Sequence, residues 1–115
     1  MAWYLGIDTS NYTTSAALYQ PEQNRIIQEK KLLPVEKGSL GLRQSDAVFA
    51  HVKQLSGILQ GLMEPVTEPL AGIGVSVRPR DVEGSYMPCF LTGEMAARSI
   101  GAALHLPVSV FSHQA

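Results

Sequence analysis

Two periodicities run along the chain, and the points where they change mark the predicted elements. Trp3 to Ile7 is apolar on both alternating sets of positions, which predicts a strand covered on two faces. Ser15 to Tyr19 predicts a second strand, closed by the turn Gln20-Pro21-Glu22-Gln23-Asn24, and Arg25 to Leu33 a third. The third has an amphipathic centre, and its Lys30-Lys31 pair predicts an edge or an exposed end. Three antiparallel strands in succession make a meander. After a loop over Pro34 to Leu42, with Gly38 and Gly41, the period lengthens. Val48, Val52, Leu55, Leu59 and Leu62 form a helical stripe, predicting a helix over Ser45 to Met63 capped by Ser45 or Asp46. His51 lies beside that stripe, where a histidine is usually packed and hydrogen-bonded rather than chemically active.

Pro65 and Pro69 end this helix and bracket a loop. Leu70 to Val77 predicts a fourth strand, whose Gly72 and Gly74 suggest close approach by a neighbour. Thr92 to Leu104 predicts a second helix with Thr92 as its cap. Ala96, Ala97, Ser99, Gly101, Ala102 and Ala103 make that helix small-sided, suited to lying tight against a sheet. His105 stands at its carboxyl end, where a cation suits the helix dipole, and Val108 to Phe111 predicts a fifth strand. A meander followed by two crossover units gives a mixed five-stranded α/β sheet with helices on its faces. That order is similar to the ribonuclease-H-like lobe of the actin-like ATPase (ASKHA) superfamily.

Length and composition narrow the function classes. The 115 residues suit one domain, with 45% hydrophobic and 17% charged residues, enough for a core. The formal charge of −1 supplies no basic excess for nucleic acid, and no apolar run is long enough to span a bilayer. The start lacks the basic and apolar regions of a secretory signal. Cys89 is the single cysteine, so no internal disulfide can form, which fits a reducing cytoplasm; beside Phe90 it reads as packing rather than a nucleophile. The last predicted strand lies four residues from the end, which reads as one lobe of a longer, two-lobed protein.

Candidate chemistry gathers at two places. The first strand runs into Asp8-Thr9-Ser10, with Asn11, Tyr12, Thr13 and Thr14 beyond. A carboxylate at the end of a buried strand can hold a hydrated divalent cation, and hydroxyls and N–H groups of the turn can grip a phosphate. The plainer alternative is a hydroxyl-rich turn that caps its own backbone. The second place is the loop from Arg78 to Leu91, which leaves the carboxyl end of a buried strand, where open α/β sheets bind ligands. Arg78 and Arg80 can fork onto a phosphate or carboxylate, or pair with Asp81 and Glu83 inside the loop.

Several of these segments together resemble the TsaD/Gcp family, the glycoprotease or O-sialoglycoprotein endopeptidase group. Leu5-Gly6-Ile7-Asp8-Thr9-Ser10 resembles its opening strand and turn, and His51 its first-helix histidine. Gly93, Arg98 and Ser99 resemble its Gly-x4-Arg-Ser helix, and Pro107 to His113 the strand leading to a His-x3-His metal motif. The resemblance implies a two-lobed ATPase-fold protein with ATP/Mg or an adenylate-type nucleotide in its cleft and a divalent metal, iron or zinc, nearby. The implied activity is transfer of a threonylcarbamoyl group from its adenylate to the exocyclic amine of a tRNA adenosine. On this resemblance Asp8, Thr9 and Ser10 are nucleotide- or phosphate-binding, Arg78 and Arg80 contact an anionic substrate, and His113 is a metal ligand. Implied partners are a TsaB-like protein, tRNA reached through other parts of the protein, and a second copy in a homodimer, in a cytoplasmic protein with no membrane.

Three departures suggest a divergent paralogue with an altered substrate. Asn11, Tyr12 and Thr13 stand where the family carries further acids, Arg78-Pro79-Arg80 replaces a Gly-Pro-Gly, and the chain ends before a second metal histidine. Arginines fill space that glycines leave for a ligand. The first alternative is a non-enzymatic, TsaB-like scaffold lobe, set lower because that branch lacks a histidine at the His113 position. The second is the metallopeptidase, set low because Gln114 stands where a zinc protease needs its glutamate base. A sugar- or acid-kinase-like phosphotransferase is the third.

Overall fold

The computed structural model describes residues 1–10, 12–34, 43–80 and 87–114. The strands are β1 (Trp3–Thr9), β2 (Thr13–Gln20), β3 (Arg25–Leu32), β4 (Leu70–Arg78) and β5 (Val108–Ser112); the helices are α1 (Gln44–Met63) and α2 (Phe90–Leu104). They form a mixed sheet in the order β3-β2-β1-β4-β5. The first three strands are the antiparallel meander, and β4 and β5 add in parallel. This is the mixed five-stranded α/β sheet, a meander followed by two parallel crossovers, that the element order predicts.

Strand registers decide which side chains share a face. In β1 and β2, Leu5 pairs with Leu18, Ile7 with Ala16 and Thr9 with Thr14, and all six side chains are buried on the helix-covered face. With Trp3, Ile73 and Val75 they form the core against Leu55, Ile58, Leu62 and Ala97. Both helices lie on this face, α1 over β2 and β3 and α2 over β4 and β1. Among the described residues no helix covers the opposite face, where Gly6, Asp8, Ser15, Ala17, Gly74 and Ser76 line an open groove of about 400 Å³. The first strand is therefore buried on one side and half-exposed on the other; its apolar Tyr4 and Gly6 belong to the groove side rather than to a second core layer.

The predicted stripe of α1 is rotated in the structure. The buried side is Ala47, Ala50, His51, Leu55, Ile58 and Leu62, whereas Val52 is 56% exposed. Leu55 and Leu62 of the stripe centre the contact with the sheet, while Ala47 and Ala50 pack with Leu33, Cys89 and Phe90 in a second cluster. Neither predicted side-chain cap forms. Helix α1 begins at Gln44 with Arg43 as its uncapped N-cap, and Gln44 Oε1 accepts the Cys89 N–H at 3.0 Å. Helix α2 begins two residues before Thr92, which is buried within its first turn.

The small-sided helix packs close to the sheet through only part of its predicted set, since Ser99, Ala102 and Ala103 are exposed. Gly93, Ala97 and Gly101 form its buried line, and a β-carbon on Gly101 would stand 2.5 Å from a Val108 methyl. His105 closes α2 in the left-handed conformation, φ 56°, with its N–H on the Gly101 carbonyl. The loop glycines Gly38 and Gly41, turn residue Asn11, and Asp81 and Glu83 lie outside the described residues.

Candidate functional site

Parallel pairing brings separate segments to one rim. Asp8 is the last residue of β1 on the groove face, and the pairing of Ile7 with Val75 sets Ser76 of β4 beside it. The Ser76 hydroxyl donates to Asp8 Oδ1. Beyond β5, the His113 N–H donates to the Arg78 carbonyl at 2.7 Å and carries the imidazole inward, so that His113 Nδ1 meets Asp8 Oδ1 at 3.0 Å. Both side chains stay in contact with solvent, at 46% and 26% exposure. With Nδ1 engaged by the carboxylate, Nε2 is the ring nitrogen left for a ligand, the arrangement by which carboxylates orient metal-binding or proton-accepting histidines.

Asp8, Arg78 and His113 therefore stand on one edge of the sheet, with Arg80 two residues past the end of β4. The tripeptide at the end of β1 is not brought together in the same way. The strand continues through Thr9, so successive side chains face opposite sides. The Thr9 hydroxyl is fully buried on the helix side, donating to the Cys89 carbonyl at 3.0 Å and accepting the Gly93 N–H at 3.0 Å. The hydroxyl thus bridges the carbonyl of the N-cap residue and the N–H four residues on, tying the first turn of α2 to the end of β1. The Ser10 hydroxyl donates to the Thr13 carbonyl at 3.4 Å, as in the plain self-capping turn.

His51 is fully buried and bonded on both nitrogens, to Thr14 Oγ1 at 2.7 Å and to the Ser10 carbonyl at 2.7 Å. Burial holds its pKa below the usual value, opposed by the Ser10 hydrogen bond and by the Asp8 carboxylate. Burial pushes the Cys89 thiol up to about 11, so it is protonated and unreactive at neutral pH. Among the described residues, no group of three or more His, Cys, Asp or Glu side chains is placed to hold a metal ion. Asp8 and His113 fit such an ion as two donors of an incomplete set.

Sequence reading missed Ser76. The signal was present in the alternation Gly72-Gly74-Ser76, which puts a hydroxyl on the open face two positions past a glycine floor. Finding it required the β1–β4 register, which a single sequence does not disclose. Among the described residues, no helix is long and apolar enough to cross a membrane.

The fold has solved counterparts. YeaZ from Pseudomonas aeruginosa superimposes with a TM-score of 0.67 at 19% identity, over 97% of this chain and 44% of that one. An uncharacterized protein with similarity to peptidase YeaZ, also from Pseudomonas aeruginosa, does so at 18% identity and the same TM-score and coverage. A ROK family glucokinase from Streptomyces griseus, solved with glucose and AMPPNP, gives 0.50 at 14% identity, over 96% of this chain and 33% of that one. The chain thus spans less than half the length of these structures. No protein-family model matches the sequence, and neither does any curated protein. The similarity to the two YeaZ structures is one of fold, over almost the whole of this chain. What the comparisons establish is the fold alone, one shared with lobes of actin-like ATPases.

Proposed function

We propose that this chain is a lobe of a YeaZ/TsaB-like partner protein, which pairs with an active homologue of the same fold and has no turnover alone. The observation that carries the reading is the outer side of the helix layer. Phe49 and Val52 on α1 are 63% and 56% exposed, and Leu91 and Met95 on α2 are 47% and 58% exposed. None of them belongs to the buried side of its helix. Large apolar side chains grouped on outward helix faces mark association surfaces. The fold likeness to YeaZ supports a TsaD/Gcp-type protein as the class of partner, and tRNA would be met through that partner.

At the rim, Asp8 and His113 are the donors this lobe offers to a divalent metal, iron or zinc, or to the magnesium of an adenine nucleotide. When bound, such an ion would polarise phosphate or carbonyl oxygens. Ser76 and Asp8 hold the imidazole of His113 in one tautomer, and Arg78 and Arg80 would meet an anionic group from the same edge. The donor set is completed by groups from elsewhere. The partner reading is tested by sedimentation velocity of the full-length protein mixed with the TsaD/Gcp-type homologue of its own source. A 1:1 complex, lost in a Phe49→Asp/Met95→Asp variant that remains folded, is the expected result. Two independently sedimenting species, or a homodimer indifferent to the homologue, would refute it.

A further inference from the structure

His51 occupies a place where an aliphatic side chain would cost less. It lies on the buried side of α1 between Ala47 and Leu55 and is wholly removed from solvent. An imidazole there must have its nitrogens hydrogen-bonded to offset its lost hydration. Both partners come from the strand pair that carries Asp8. One is the Ser10 carbonyl, two residues past the carboxylate; the other is the Thr14 hydroxyl, at the start of β2.

The proton positions follow from the partners. A carbonyl only accepts, so His51 Nε2 bears the hydrogen and donates to Ser10. In the neutral ring Nδ1 is then an acceptor, and the Thr14 hydroxyl donates to it. That hydroxyl also lies 3.0 Å from Gln54 Oε1, and one hydrogen cannot serve both at full strength. The Ser10 bond is the one contact in this cluster whose direction is fixed whichever proton arrangement the rest adopts.

We propose that His51 is a positioning residue for the rim: by gripping the Ser10 carbonyl from α1, it fixes the end of β1 and so the carboxylate that orients His113. Helix α1 and the rim lie on opposite sides of the sheet, and the ring joins them through the backbone just past Asp8. The coupling needs no contact between His51 and any ligand. It is independent of the partner reading, because it concerns only the folded lobe.

The experiment uses His113 as its reporter. In the full-length protein, nitrogen-15 NMR of the imidazoles should find His113 in the Nδ1–H tautomer that donates to Asp8. His51→Gln places an amide N–H near the position of Nε2 and should keep that signature; His51→Asn reaches only as far as Nδ1 and should lose it, giving the tautomer mixture of a free imidazole. Thermal unfolding of both variants checks that the difference is not one of overall stability. Should the asparagine variant not fold, Thr14→Val deprives the ring of its Nδ1 partner and should cut the Nδ1–H population of His113. An unchanged His113 signature in folded His51→Asn or Thr14→Val, or its equal loss in His51→Gln, overturns the proposal.

Discussion

Replacing Thr9 by valine tests how the end of β1 is joined to α2. The side chain keeps its shape but loses the hydroxyl that donates to the Cys89 carbonyl and accepts the Gly93 N–H, each at 3.0 Å. Cys89, Thr9 and Gly93 are all buried, so water cannot readily replace either bond. An unsatisfied buried polar group costs about 1–3 kcal/mol, and two lose their partner, so the loss is roughly 2–6 kcal/mol. Domains of ordinary stability hold about 5–15 kcal/mol in total, so a large share would go. At roughly 4 °C per kcal/mol for a chain of this size, the midpoint of thermal unfolding should fall by about 8–24 °C. Thr9→Ser is the control. It keeps the hydroxyl and removes one methyl group, at a cost of about 1 kcal/mol. Urea denaturation of the two variants reads the difference directly. If valine costs no more than serine, the two bonds do not hold α2 to the sheet, and the reasoning fails.

Glycines predict opposite outcomes at two helical positions. Gly57→Ala meets no atom within 4 Å and should stabilise the protein by about 0.5–1 kcal/mol through helix propensity. Gly93→Ala puts a β-carbon 2.8 Å from Thr9 Oγ1 and 3.3 Å from an Ile7 methyl, and should destabilise by about 1–3 kcal/mol; urea midpoints of the two variants should move in opposite directions. The pH dependence of stability should carry a His51 component. Burial holds its folded pKa below the ordinary histidine value of about 6.5, so on acidification the unfolded chain takes up this proton first. The contribution is complete above about pH 6.5 and is lost as the pH falls from there towards the folded value. Urea unfolding at about pH 7.5 and 5.5 should show a smaller loss in His51→Gln than in the unchanged protein; equal losses would contradict the assignment.

The fold was legible where periodicity and punctuation agreed. The meander, the two crossover helices and the strand after Leu106 follow from alternation, from Pro65 and Pro69, and from small residues along α2. Helix faces were less legible, because alanines that pack with Cys89 and Phe90, and a histidine bonded to the β1–β2 end, join Leu55 and Leu62 on the buried face of α1 while Val52 is left outside. At the site, Asp8 and His113 were legible as residue types, and their 3.0 Å approach depends on two parallel registers that lie outside any local pattern. Thr9 was placed in a turn because hydroxyls favour turns. The strand absorbed it, since its hydroxyl finds better partners in Cys89 and Gly93 than in its own backbone.

On the proposed partner reading, the outer side of the helix layer meets another protein of the same fold. Hydrogen exchange of the full-length protein with and without the TsaD/Gcp-type homologue locates that contact. Slowed exchange should concentrate along Phe49 to Val52 and Leu91 to Met95, with the groove strands unchanged. Protection confined to the groove face, or none at either helix while a complex forms, would contradict it.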